Sequence, residues 1–165
     1  MKTAVIGIGN PLRGDDGAGV EVIRRLREKG PALSGGEGSL FEVDLIDGGT
    51  DGLSLLERMR DYERVIIVDA VDAGKRPGEV FAFSAEEASI FIREDTLSTH
   101  GLGLAEALAL AQMLSIPTRI RLVAVQPEHL TMGKGLSKAV ADSLESLIEA
   151  VLAEACFNLS SFPRR

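Results

Sequence analysis

The sequence predicts an α/β fold: a three-layer αβα sandwich around a central, mostly parallel, five-stranded twisted sheet that carries one antiparallel strand. Three observations predict it. Short apolar, β-rich runs alternate with helical stripes in the order βαβαββαβα, the pattern of a sheet covered by helices on both faces. Residues 65–68 are continuous and β-branched, as a central strand buried on both faces requires. The connection at 74–77 is too short for a parallel crossover, so the strand after it should run antiparallel to its predecessor.

Each element follows in turn. Residues 4–8 read as a buried strand. It enters the run Gly7-Ile8-Gly9-Asn10-Pro11-Leu12-Arg13-Gly14-Asp15-Asp16-Gly17-Ala18-Gly19: a turn, two adjacent carboxylates and the start of a helix. That helix spans 17–29, with Ala18, Val22 and Leu26 on one face, and Gly30-Pro31 ends it. Residues 34–39 are a glycine-rich loop. Residues 41–46 alternate Phe41, Val43 and Leu45 against Glu42 and Asp44, as an edge or half-exposed strand does. Asp47 stands at its end, before Gly48-Gly49, and Thr50 is the expected N-cap of a helix carrying Leu53, Leu56 and Met59.

The central strand ends in Asp69-Ala70-Val71-Asp72-Ala73-Gly74, and residues 78–83 form the next strand. Residues 84–97 are polar and mixed. Ser98-Thr99-His100-Gly101-Leu102-Gly103 then opens a helix to 114, with Leu104, Leu108 and Ala111 on one face, and Ile116-Pro117 breaks it. Residues 119–125 are the last strand and 126–134 a loop. The closing helix shows a stripe of Leu136, Val140, Leu144, Leu147, Ile148 and Val151. The expected organisation is one domain over 1–156 and a loose tail over 157–165, without internal repeats or linkers.

Composition bounds the partners. The 165 residues are 26% charged and 45% hydrophobic, with a formal net charge of −7. No basic patch is long enough to follow a phosphate backbone, so nucleic acid is not an expected partner. Arg24, Arg25, Arg27 and Lys29 share a helix with Glu21 and Glu28 and read as a solvated face. The lone cysteine, Cys156, cannot pair within the chain and reads as a packing residue, which fits a reducing cytoplasm. Met1-Lys2 leads straight into a strand, so no signal peptide is expected, and no apolar run approaches the roughly 18 residues of a membrane span.

The first turn is not a nucleotide loop. Gly7-Ile8-Gly9 opens like G-x-G-x-x-G, but Leu12 stands where the third glycine belongs, and no G-K-S/T follows. Two carboxylates at a helix start would also repel a pyrophosphate. They suit a cation or a polarised water; alternatively one of them is a helix N-cap, although one cap does not need both. There is no G-x-S-x-G elbow and no H-E-x-x-H helix.

Four residues lie just after expected strands or at a helix start: Asp16, Asp47, Asp69 and His100. In an open α/β sheet, ligands gather beyond the carboxyl ends of the strands. Two carboxylates and one imidazole leave positions open on a metal and suit Ni²⁺ or Zn²⁺ better than Mg²⁺. Each has a plain alternative as a turn or helix cap. Asp72 reads as stabilising the turn before Gly74, and His129 as an ordinary loop histidine.

The run from Gly7 to Gly19 closely resembles the N-terminal signature of the hydrogenase maturation proteases, endopeptidases that trim the C-terminus of the large subunit of [NiFe] hydrogenases. Asp47-Gly48-Gly49-Thr50, Asp69-Ala70 and Ser98-Thr99-His100-Gly101-Leu102 resemble the family's later motifs, and Gln126-Pro127 and Gly135-Leu136-Ser137 its late loop and last helix start. The resemblance covers the chain to about residue 153 and leaves 157–165 without a counterpart. It implies that Asp16, Asp69 and His100 contact a metal, the nickel already inserted in the substrate. The first of these is Glu or Asp in the family, and here it is Asp, one methylene shorter. The resemblance also implicates Asp47 in proteolysis, and leaves open whether Asp47 or Asp16 activates water. The expected function is therefore a cytoplasmic, monomeric endopeptidase that removes a C-terminal peptide from the nickel-loaded precursor of the large subunit, with no nucleotide and no membrane insertion. The rival reading is a non-catalytic nickel-binding or delivery protein. A dinucleotide binder is disfavoured by the missing third glycine and by the lack of an acid about 20 positions on.

Overall fold

In the computed structural model, strand β1 (Lys2–Ile8) occupies an interior position in the sheet and is buried from Thr3 onward. The structure describes residues 2–29, 42–88 and 103–156. The other strands are β2 (Glu42–Gly49), β3 (Arg64–Ala70), β4 (Val80–Ser84) and β5 (Arg119–Val125). The helices are α1 (Ala18–Glu28), α2 (Gly52–Met59), α3 (Leu104–Met113) and α4 (Lys138–Cys156). The five strands form one sheet in the order β2-β1-β3-β5-β4. β1 pairs in parallel with β2 and β3, β3 pairs in parallel with β5, and β4 pairs antiparallel with β5.

Strand alternation sorts the core into two layers. Ala4, Ile6, Val65, Ile67, Leu122 and Ala124 point to one face, where Leu55, Leu56 and Met59 of α2 and Ala107, Leu108 and Ala111 of α3 cover them. Val5, Ile66, Val68, Val123 and Val125 point to the other, beneath Val22, Ile23 and Leu26 of α1 and Val140, Leu144, Leu147, Ile148 and Val151 of α4. Each Val, Leu, Ile or Met side chain buried in this way contributes about 2 kcal/mol of apolar transfer. At the amino end of the sheet, buried Arg64 donates from Nη2 to the Glu154 carbonyl at 2.6 Å, and Arg121 donates to the Glu154 carboxylate at 2.8 Å. These bonds fix the last turn of α4 against β3 and β5.

β4 runs opposite to β3, as its short connection implied, with β5 inserted between them. The burial explains this: Leu122 to Val125 of β5 are all buried, whereas β4 exposes Ala82 and suits only an edge. The first helix does not begin at residue 17; a 3-10 turn, Gly14–Gly17, precedes it. The cap of α2 is Asp51 and not Thr50, its carboxylate accepting from the N–H groups of Leu53 at 3.1 Å and Ser54 at 3.3 Å. With that start, Leu55, Leu56 and Met59 form the buried face, and Leu53 is left 59% exposed.

Glycine earns its place where α1 meets the sheet. A Cβ on Gly7 would lie 2.2 Å from the Gly19 carbonyl oxygen, and one on Gly19 would lie 2.2 Å from that of Val68. The helix therefore rests backbone to backbone across β1 and β3. These glycines serve close packing, not a phosphate. Arg24 pairs with Glu21 and Glu28, and Arg25 with Glu21 and Glu145, so this cluster is the solvated face the sequence implied. No helix among the described residues is long and apolar enough to cross a membrane.

Candidate active site

The sheet order places β1 between β2 and β3, so the chain leaves β1 toward one side and later returns to the other. The carboxyl ends at such a switch point open a crevice. Three of the four expected site residues stand at this edge: Asp16 after β1, Asp47 near the end of β2 and Asp69 near the end of β3. His100 lies outside the described residues, as do residues 34–39, most of 84–97 and the tail 157–165.

The loop that carries Asp16 is built from Asn10. Its backbone N–H donates to Asp16 Oδ2 at 2.8 Å, its side-chain oxygen accepts from Leu12 N–H at 2.9 Å, and its carbonyl accepts from Arg13 N–H at 3.0 Å. The side-chain bond is an Asx turn. Gly9 makes the turn possible: its φ is 120°, and a Cβ there would stand 1.9 Å from the Asp16 carbonyl oxygen. Neither aspartate caps α1 with its side chain, since Gly17 holds the N-cap position.

The two neighbouring aspartates have separate tasks. Asp15 is fully buried. Its carboxylate accepts from the N–H of Glu128 at 2.8 Å, of His129 at 3.2 Å and of Ser137 at 2.7 Å, and from the Ser137 hydroxyl at 2.9 Å. Its own N–H donates to the His129 carbonyl at 3.0 Å. Burial pushes its pKa up, but these hydrogen bonds outweigh burial and hold the carboxyl below its usual range. The loop after β5 is thereby fastened to the loop after β1. Gly14 N–H to the Lys134 carbonyl at 3.1 Å, Gly133 N–H to the Leu12 carbonyl at 2.8 Å and an antiparallel bridge from Arg13 to Met132 complete the seam.

Asp16, in contrast, is half-buried and faces Asp69. Burial and then the charge of Asp16 raise the Asp69 pKa well above the ordinary carboxylate value; the Ala70 N–H, at 2.8 Å, opposes them weakly. A buried carboxylate that feels a second negative charge gains a proton or a cation readily. Asp47 belongs to a different position. It is exposed, its Oδ1 accepts from Gly49 N–H at 3.0 Å, and it is level with Gly7 on the neighbouring strand. Alternation points Asp69 toward the α2/α3 layer and Asp47 toward the α1 layer, with β1 between them. Among the described residues, no group of three His, Cys, Asp or Glu side chains is gathered for a metal.

Two supporting residues escaped the reading of individual residues. Ser137 is buried and completes the Asp15 cluster. Gln126 is buried too; its Oε1 accepts from the N–H groups of Ala73 at 2.9 Å and Lys75 at 3.0 Å, and its Nε2 donates to Asp72 at 3.0 Å. It thus holds the turn that leaves β3 just after Asp69. The available signal was a pair of adjacent aspartates of which only one was needed as a cap. Asp72 accepts from Gly74 N–H at 3.0 Å and stabilises that turn as expected, and His129 is a loop residue accepting from Thr131 N–H at 3.4 Å.

A family model described as hydrogenase maturation protease matches residues 20–154. The chain is 34% identical over 155 residues to the hydrogenase expression/formation protein HupD of Rhodobacter capsulatus, covering 93% of this chain and 70% of that one. It is 32% identical over 155 residues to the hydrogenase 2 maturation protease of Escherichia coli, covering 93% and 90% respectively. Among solved structures, the hydrogenase maturating endopeptidase HybD from E. coli superposes with a TM-score of 0.76 at 29% identity, over 97% of this chain and 94% of that chain. A [NiFe] hydrogenase maturation protease HycI from Thermococcus kodakarensis gives 0.70 at 27% identity, over 95% and 93%.

Proposed function

The chain belongs to the hydrogenase maturation protease family, and on that premise we propose a division of labour among the residues at its carboxyl edge. It is a peptidase, a maturation endopeptidase that cleaves the C-terminus of a [NiFe] hydrogenase large-subunit precursor. Asp16 and Asp69, joined by His100, engage the nickel that the precursor carries, so the metal arrives as part of the substrate. Asp47 activates the hydrolytic water: it takes the proton as water attacks the scissile carbonyl and returns it to the departing amine. The enzyme works in the cytoplasm as a monomer, where its single cysteine has no disulfide to form.

The observation that carries this reading is the Asp16–Asp69 pair. Both carboxylates stand at the switch point, the Asp69 carboxyl is raised by burial and then by the charge of Asp16, and a divalent cation would relieve both penalties. The donor set of two carboxylates and an imidazole suits nickel. Asp47 is the exposed acid on the other side of β1, open to a peptide bond, while Asp16 is already held by the Asn10 N–H.

The test is incubation with the large-subunit precursor, loaded with nickel or not, read by intact mass. Loss of a C-terminal peptide from the loaded form alone supports the whole reading. Equal cleavage of both forms removes nickel from it. Tight nickel binding with no cleavage of any precursor would instead make the protein a carrier.

A further inference from the structure

A second concavity lies at the end of the sheet away from the aspartates. A cavity of about 550 Å³ is lined there by the end of β4, the end of α3 and the start of β5. Its volume is that of a small-molecule site. The pairing of β4 with β5 stops at Ser84 and Arg121, so Arg119 and Ile120 run on past the end of β4 into the cavity wall. Arg64, the first residue of β3, joins them in that wall. The lining is apolar at Ala111, Ile116 and Ile120 and cationic at Arg64, Arg119 and Arg121.

The cations outnumber their partner where burial is deepest. Arg64 is 4% exposed. Its Nη2 donates to the Glu154 carbonyl at 2.6 Å but lies 3.4 Å from the Glu154 carboxylate. That carboxylate is committed to Arg121, whose Nε and Nη2 reach its two oxygens at 3.2 Å and 2.8 Å. One carboxylate therefore serves two guanidinium groups. The Arg64 Nε is buried and has no hydrogen-bond partner. An orphaned buried donor is uncommon in a folded protein and marks a place for an acceptor that the chain itself does not supply. Burial holds the Arg64 pKa below its ordinary value; Glu154 opposes this, and the charges of Arg121 and Arg119 reinforce it.

The acids nearby limit what that acceptor can be. Glu86 lines the cavity, and Glu87 follows it and accepts from Ser84 N–H at 2.8 Å. Both are exposed, as is Arg119, and water screens all three. The inner group of Arg64, Arg121 and Glu154 is left with one positive charge in excess. A single negative charge balances it, whereas a dianion would also meet Glu86 and Glu87. The apolar walls favour a ligand with an apolar body behind that charge.

We propose that this cavity binds a carboxylate carried on an apolar body, with Arg64 and Arg119 receiving the carboxylate and Ala111, Ile116 and Ile120 covering the body. The site is separate from the proteolytic one, being at the opposite edge of the sheet from Asp16 and Asp69. A free carboxylic acid and the C-terminus of a polypeptide present the same chemistry to it.

The experiment is calorimetric titration of the full chain with hexanoate, acetate, hexanamide, inorganic phosphate and N-acetyl-leucyl-leucine. Hexanoate should bind saturably, and about tenfold or more tighter than acetate or hexanamide. Arg119→Gln and Gln112→Glu change exposed residues of the wall and should weaken hexanoate severalfold at an unchanged thermal midpoint. Arg119→Lys should retain most of the binding. Arg64→Gln, with its thermal midpoint measured alongside, should abolish it. Tighter binding of the dipeptide than of hexanoate assigns the ligand to a chain terminus, and the reverse order to a free acid. The proposal is overturned if neither hexanoate nor the dipeptide binds saturably, or if hexanamide or phosphate binds as tightly as hexanoate. Unchanged hexanoate binding in both Arg119→Gln and Gln112→Glu overturns it as well.

Discussion

The carboxylate of Asp15 and the residue just before α4, Ser137, meet through two hydrogen bonds, 2.7 Å from the Ser137 N–H and 2.9 Å from its hydroxyl, across 122 residues of sequence. Both residues are buried. Through them the loop that carries Asp16 is tied to the loop that ends at α4.

Asp15→Ala is therefore expected to be among the most destabilising single changes near the site. It removes the acceptor of the Glu128, His129 and Ser137 N–H groups, the last of them buried. A loss on the order of 3 kcal/mol follows, which lowers the thermal midpoint by roughly 10 °C in a chain of this size. Thermal unfolding followed by circular dichroism measures it. A midpoint within a degree or two of the parent would mean that the cluster contributes nothing.

Asp69→Asn should behave oppositely. The native carboxylate is destabilised by burial and by Asp16, and the amide removes the charge while keeping the shape. The midpoint should equal or exceed the parent's, while processing of the loaded precursor falls by roughly 100-fold or more, the scale expected when a positioning contact is lost. Retained processing would remove Asp69 from the site.

The acid limb of stability has an identifiable contributor in Glu21. The hydrogen bond from Arg24, opposed by partial burial and reinforced by Arg25, lowers its pKa from 4.5 to about 2. Because the folded value lies below the unfolded one, the stabilisation is fully present above pH 4.5 and is lost as pH falls through about 2. Glu21→Gln should lower the urea midpoint at neutral pH and flatten its decline between pH 4.5 and 2, with the two proteins converging in stronger acid. Parallel curves across that window would assign the acid sensitivity elsewhere.

Periodicity made most of the fold legible. The stripe from Val140 to Val151 is the buried face of α4, the β-branched run at 65–68 is the centre of β3, and residues 119–125 are β5 to the residue. These are local consequences of which side chains avoid water, so they are written in spacing alone. The caps and edges were less legible. Thr50 and Asp51 are both good N-caps, and only the direction in which the chain leaves β2 selects Asp51. The insertion of β5 between β3 and β4 depends on burial across strands more than forty residues apart.

The sequence by itself determined the layered α/β architecture, the placement of Asp16, Asp47 and Asp69 at strand ends or loop exits, and, through its motifs, the family. Tertiary structure decided which of the carboxylates meet. Asp15 and Asp16 are adjacent in sequence and equal in chemistry, yet one turns inward to four hydrogen bonds and the other outward toward Asp69. Asp47 and Asp69 stand near the ends of β2 and β3, the two strands that flank β1, yet alternation points them to opposite layers. The physical reason is that a carboxylate's role follows from the donors and charges around it, and those come from β5, its following loop and the start of α4, which spacing along the chain does not encode.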